Sequence, residues 1–147
     1  MDELYSDIIL DHYRHPHNSG SLKCPDVRVT EYNPLCGDAI TLDIALGTSQ
    51  DVQKVKFSGQ GCAISQASAS LLTDAIKGLS LKKIQALSSE DVLAFLHIPI
   101  TPGRLKCALL PLSAVQKATA QISKNSSTKK SLCKKKKIQN TTSHIGK

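Results

Sequence analysis

Ile40-Thr41-Leu42-Asp43-Ile44-Ala45-Leu46 alternates large apolar residues with Thr41, Asp43 and Ala45. That period of two is the mark of a half-buried strand. Residues 47–51 then supply a turn. Beyond it Val55 and Phe57 alternate with Lys54 and Lys56, giving another strand. On the N-terminal side Val27 to Tyr32 alternates more weakly and reads as a first strand, broken by Asn33-Pro34. Such short connections favour an antiparallel meander of three strands.

Helical patterning surrounds this meander. Leu4, Tyr5, Ile8, Ile9 and His12 fall on one stripe of a helix over residues 2–14, which Pro16 stops. Residues 15–20 form a loop. Ser58-Gly59-Gln60-Gly61 reads as a turn into a helix that starts near Cys62, with Ile64, Ala67, Ser68, Leu71, Leu72 and Ala75 on its packed face and Gly78 at its end. Residues 80–87 and 90–96 read as short helices, and Pro99 and Pro102 bracket a loop. A last helix is expected over about residues 104–122, with a kink or fresh start at Pro111, because proline in a regular helix interior costs about 3 kcal/mol. The fold class is α+β: a small three-stranded antiparallel sheet packed against several α-helices.

Charge divides the chain. It carries +7 overall, with 40% hydrophobic and 3% aromatic residues and no Trp, so the core is Leu, Ile, Val and Ala. Eight of the nineteen basic residues lie after Ser123 with no acid among them, leaving residues 1–123 with eleven basic and twelve acidic residues. We therefore expect a domain over residues 1–123 and a disordered Lys-rich tail over 124–147, too poor in apolar residues to offset its ordering entropy. The domain is not basic and does not read as a nucleic-acid-binding fold; only weak, salt-sensitive association of the tail with RNA or acidic partners is expected. The acidic start Met1-Asp2-Glu3 has no apolar stretch after it, so a cytoplasmic protein without a signal peptide is expected. No apolar run reaches the roughly 18 residues a membrane span needs.

Five cysteines, an odd number, favour reactive or metal-binding thiols over a disulfide framework. Cys36-Gly37-Asp38 sets a thiol and a carboxylate two residues apart on a turn, where both can face one ion, although the same pair also serves to stabilise a turn. Gly59-Gln60-Gly61-Cys62 opens a helix. The helix end favours a thiolate by about 0.3–1 kcal/mol, less than the roughly 1.36 kcal/mol of one pKa unit, so a bound metal would be the stronger agent. Cys107 follows Arg104 and Lys106, whose cations also favour thiolate. Cys62 and Cys107 each also read as a small buried cysteine. The three cysteines stand 26 and 45 residues apart, and no zinc-finger spacing shows that they converge. His12, His15 and His17 have no carboxylate at an obvious helical spacing apart from Asp11, and read as surface or capping residues.

Taken together, Asn33-Pro34-Leu35-Cys36-Gly37-Asp38, the run from Gly59 to Ser70, and Gly103-Arg104-Leu105-Lys106-Cys107-Ala108 resemble the three signatures of the IscU/SufU/NifU N-terminal family of iron–sulfur cluster assembly proteins. Leu4-Tyr5, Asp11-His12-Tyr13 and residues 16–20 resemble that family's opening segment. The resemblance covers about residues 4–122, with all four motifs in order. It implies the family's fold, a small antiparallel sheet against several helices. It also implies that Cys36, Cys62 and Cys107 are cluster or zinc ligands, with Cys36 and Cys107 the foremost sulfur acceptors. Asp38 stands beside the site, tuning ligand exchange, and is the fourth ligand in zinc-loaded SufU-type members.

The stretch from Cys62 to Ser68 is similar to the SufU-type branch more than to IscU. Lys106 stands where many IscU proteins have His, and the Leu-Pro-Pro-Val-Lys chaperone-docking motif is absent. The Cys62–Cys107 separation is short for the insertion that SufU-type proteins carry, and Pro111-Leu112 replaces a common Ala-Trp.

The function implied is a scaffold. It takes sulfur from a cysteine desulfurase, binds iron, holds a transient [2Fe–2S] cluster and passes it to apo-proteins. The alternative is a zinc-dependent SufU-type sulfurtransferase that relays persulfide sulfur without building a cluster. A third reading is a structural zinc domain with a nucleic-acid-binding tail.

Overall fold

The computed structural model describes residues 7–34, 37–96 and 100–125. Its elements run α1 (Asp7–Arg14), β1 (Val27–Asn33), β2 (Asp38–Leu46), β3 (Val52–Gln60), α2 (Ala63–Ile76), α3 (Leu81–Gln85), α4 (Ser89–Leu96) and α5 (Pro102–Asn125). The fold is α+β. The three strands form one antiparallel sheet in the order β1-β2-β3. β2 is central, paired to β1 on one side and β3 on the other.

One face of the sheet is apolar. Val27, Val29, Ile40, Leu42, Ile44, Val55 and Phe57 are all at most 5% exposed, and they pack with Leu72 and Ile76 of α2 and with Leu110, Leu112, Ala114, Val115, Ala118 and Ile122 of α5. The opposite face carries polar cross-strand pairs. Thr30 meets Thr41 at 2.9 Å, and Arg28 grips the buried Asp43 through Nε at 2.6 Å and Nη2 at 2.8 Å. The Leu22 N–H adds a third bond to that carboxylate at 2.9 Å. The hydrogen bond to Asp43 pushes the Arg28 guanidinium above its ordinary pKa. This carboxylate is structural, since three hydrogen bonds from Arg28 and the Leu22 N–H already hold it.

Two segments depart from the alternation and propensity reading. Residues 58–60, expected as a turn, continue β3, with Gly59 paired to Ile40 and Gln60 to Ala39. Gly59 has φ of +142°, and a Cβ there would lie 2.0 Å from the Ala39 carbonyl oxygen, so only glycine lets the strands stay this close. At the other site α5 passes through Pro111 without a fresh start. Pro111 cannot donate to the carbonyl four residues earlier and its ring crowds that turn. The neighbouring carbonyl of Ala108 accepts a 2.6 Å bond from the buried Ser68 hydroxyl of α2, so tertiary packing supports the disturbed turn. Pro102, the first residue of α5, sits where a missing N–H costs nothing.

The N-terminal helix begins at Asp7 in the described residues; the part of the stripe at Leu4 and Tyr5 lies outside them. Ile9 joins a second apolar cluster with Ile64, Ala67, Leu96 and Ala108, against which Cys62 packs. The tail reading falls on residues outside the description from 126 onward, while α5 reaches two residues past the expected boundary at Ser123.

Candidate metal centre

Three elements meet at one end of the sheet. The β1–β2 hairpin closes at the Asn33–Asp38 pair, with the Gly37 N–H bonded to the Asn33 carbonyl at 2.9 Å. This turn fixes Asp38 at the start of β2. The end of β3 delivers Gly61 and Cys62, and Cys62 is the N-cap of α2, with extended backbone and no side-chain capping bond. Its sulfur is therefore not spent on the helix. The first turns of α5 deliver Arg104 and Cys107.

Asp38, Cys62 and Cys107 each present one ligand atom, and these atoms all lie within 4.8 Å of one another. The Cys62 Sγ stands 4.0 Å from Asp38 Oδ2. They line an open cleft of about 510 Å³ together with Gly37, Gln60, Gly61, Gly103 and Arg104. Asp38 and Cys107 are each 3% exposed and Cys62 is half-buried. The ligands thus sit at the floor of the cleft. Cys36, which precedes Gly37 in the sequence, lies outside the described residues.

Gly61 makes room for this arrangement. A Cβ on Gly61 would come 2.9 Å from the Asp38 carboxyl and 2.4 Å from the Ser65 hydroxyl. Any larger residue would drive the carboxylate from its seat. Ser65 Oγ itself donates to the Cys62 carbonyl at 3.0 Å, tightening the first turn of α2.

The donor set fits a thiophilic metal. Zinc–sulfur bonds of about 2.3 Å in a tetrahedron place sulfur atoms roughly 3.8 Å apart. Ligand atoms within 4.8 Å are then about an ångström from closed, which rotamer adjustment can supply. Two thiols and one carboxylate suit zinc or an iron of a cluster better than magnesium or calcium, which prefer all-oxygen sites.

The cations flanking Cys107 separate. Arg104 lines the cleft. Lys106 lines a neighbouring groove of about 470 Å³ with Tyr32, Leu105, Leu109 and Leu110. Sequence patterning missed this groove, because it joins the end of β1 to a helix more than 70 residues later. It also missed Asp74 of α2, which partners His17; no local spacing relates residues 57 positions apart. Cys24 lies outside the three-ligand group.

Comparison with known proteins agrees with the fold. The profile of the NifU-like N terminal domain matches residues 4–129. The zinc-dependent sulfurtransferase SufU of Bacillus subtilis strain 168 is 38% identical over 138 residues, covering 82% of this chain and 92% of that protein. The iron–sulfur cluster assembly scaffold protein IscU of Escherichia coli K12 is 34% identical over 119 residues, covering 79% and 91%. Among solved structures, the SufU protein of Fervidobacterium islandicum AW-1 superposes with a TM-score of 0.67 at 26% identity, covering 80% of this chain and 98% of that one. With the matched profile spanning most of the sequence, and relatives above 30% identity aligned nearly end to end, the chain belongs to the NifU-like N-terminal domain family.

Proposed function

We propose that this protein is an iron–sulfur cluster assembly scaffold, in which Cys36, Cys62 and Cys107 hold a transient [2Fe–2S] cargo and Asp38 governs its exchange. The observation that carries this reading is the convergence of Asp38, Cys62 and Cys107 from three separate elements onto one open cleft. The match to scaffold and sulfurtransferase relatives supports it. A cysteine desulfurase supplies sulfur as a persulfide. A site thiolate attacks the outer sulfur, forms the new S–S bond, and releases the donor cysteine as thiolate. Cys107 is 3% exposed, so its direct attack on a protein-borne persulfide requires its side chain to move out from the floor of the cleft. Cys36 is therefore the favoured first acceptor. Iron and reducing electrons complete the cargo, which passes to apo-proteins in the cytoplasm. An oxygen ligand in place of a fourth thiolate keeps release possible.

A second reading has its own support. The SufU relative is a zinc-dependent sulfurtransferase, and two thiols with a carboxylate fit zinc equally well. In that reading zinc is resident, held by Cys36, Asp38, Cys62 and Cys107, where it would keep the thiols deprotonated. The protein then relays persulfide sulfur and builds no cluster.

Anaerobic reconstitution with iron, a desulfurase and cysteine, alongside metal analysis of the purified protein, separates the two. A visible cluster that transfers to apo-ferredoxin supports the scaffold. Bound zinc with persulfide relay and no cluster supports the sulfurtransferase. Neither cluster nor persulfide would overturn both.

A further inference from the structure

Away from the metal cleft, His12 of α1 and His17 of the following loop face α2. His12 Nδ1 lies 2.7 Å from Ser70 Oγ. The His17 backbone N–H donates to the same oxygen at 2.8 Å, and His17 Nδ1 pairs with Asp74 Oδ2. The Asn18 amide donates to Asp74 Oδ1 and to Thr73 Oγ1, both at 2.9 Å. The two imidazoles stand 4.5 Å apart, centroid to centroid, tilted by 50°. They fall short of a second metal centre, because the one group of three converging ligands among the described residues is Asp38, Cys62 and Cys107.

We propose that His12, His17, Ser70 and Asp74 form an acid-labile latch, in which proton uptake by His12 loosens α1 and its loop from α2 while the sheet stays folded.

The latch tolerates a neutral His12 and resists a charged one. Burial disfavours the imidazolium, and the neighbouring His17 adds repulsion. Asp74 across from it and Asp11 on its own helix attract, yet the balance lowers the His12 pKa from the ordinary 6.5. The docked state therefore binds fewer protons than the released state. Docking is fully favoured above about pH 6.5 and weakens as pH falls through the lowered value, by up to about tenfold per pH unit for one proton. A protonated His12 could still donate to Ser70, so it is the cost of burying the charged imidazole, with the repulsion of His17 added, and not a lost hydrogen bond, that opens the latch.

Release would reach the metal cleft through packing. Ile9 is fully buried on the cluster that holds Ile64 and supports Cys62. Withdrawing α1 removes one wall of that cluster. The latch itself stands whether the cleft holds a cluster or zinc.

Hydrogen exchange of the full chain at pH 7.5 and 5.5, corrected for intrinsic rates, tests this. Protection of the α1 amides should fall about three- to tenfold, with β2 unchanged, and with a midpoint matching the His12 titration followed by NMR. His12→Asn, which stays neutral, should abolish the dependence. Unchanged α1 protection, an equal loss in α1 and β2, or the same fall in His12→Asn would overturn the latch. If that variant does not fold, a mismatch between the wild-type His12 and α1 midpoints overturns it equally.

Discussion

At its N-terminal end α2 brings Cys62 against Asp38 and Cys107. Eight and twelve residues on, about 12 and 18 Å along the helix axis, Ser70 and Asp74 hold His12 and His17. Both places gather side chains of metal-ligand type, and they are built in opposite ways. At the histidines each Nδ1 and both Asp74 oxygens are met by protein partners. At the cleft, Asp38 and Cys62 share only one long contact of 4.0 Å, and an open volume lies in front of them. A cluster that is satisfied internally holds the fold together. A cluster of ligand-type side chains that converges on open space is arranged for a guest.

The largest test of that contrast is to remove ligands from each. Cys62→Ser or Cys107→Ser should lower metal or cluster retention by more than about a hundredfold, since loss of a direct ligand exceeds the roughly 10–100-fold cost of losing a supporting residue. His17→Gln at pH 7.5 should leave the bound metal stoichiometric. Metal content after gel filtration checks both. If the histidine variant loses metal as completely as the cysteine variants, the two regions are not separate in role.

Gly61→Ala is the next largest. Its new methyl group meets the Asp38 carboxyl at 2.9 Å, so it should lower metal affinity about 10–100-fold while all ligands remain. Asp38→Ala should speed metal release about tenfold and, in the metal-free protein, leave stability unchanged or higher, because an acid that is 3% exposed no longer has to be buried. Chelator-competition rates and thermal unfolding with and without metal measure these effects. Unaltered release in Asp38→Ala would remove the carboxylate from the exchange step.

How far the sequence could see follows from the range of each interaction. β2 was legible because alternation over Ile40–Leu46 is a local property, and the meander followed from short connections. The end of β3 was not, because Gly59 carries a turn signal locally and is held extended by the backbone of Ala39, a cross-strand partner. That α5 makes no fresh start at Pro111 was hidden for the same reason: the Ser68 hydroxyl that steadies that turn comes from another helix. In the cleft, residue chemistry marked Cys36, Asp38, Cys62 and Cys107 as candidates, but only family resemblance said they meet. Neither alternation nor motif revealed the seat that Gly61 gives Asp38, or Asp74 as the partner of His17.

The smallest effect expected is at that partner. Burial would raise the Asp74 carboxyl pKa, but hydrogen bonds from His17 and Asn18, with help from the His17 and Lys77 charges, outweigh it and hold the carboxyl below its ordinary value of 3.8. The folded state therefore binds protons less readily than the unfolded one. The resulting stability is present above about pH 4 and is lost as pH falls below it. The His17 and Asp74 side chains are 49% and 40% exposed, so solvent screening limits the pair to about 0.5–1 kcal/mol. Asp74→Asn keeps the shape and removes the charge. It should cost about that much in urea unfolding at pH 7.5, and the gap to wild type should narrow between pH 5 and pH 3. A gap that does not change with pH would mean that shape, and not charge, joins this end of α2 to the N-terminal loop, and the contrast with the cleft would then rest on packing alone.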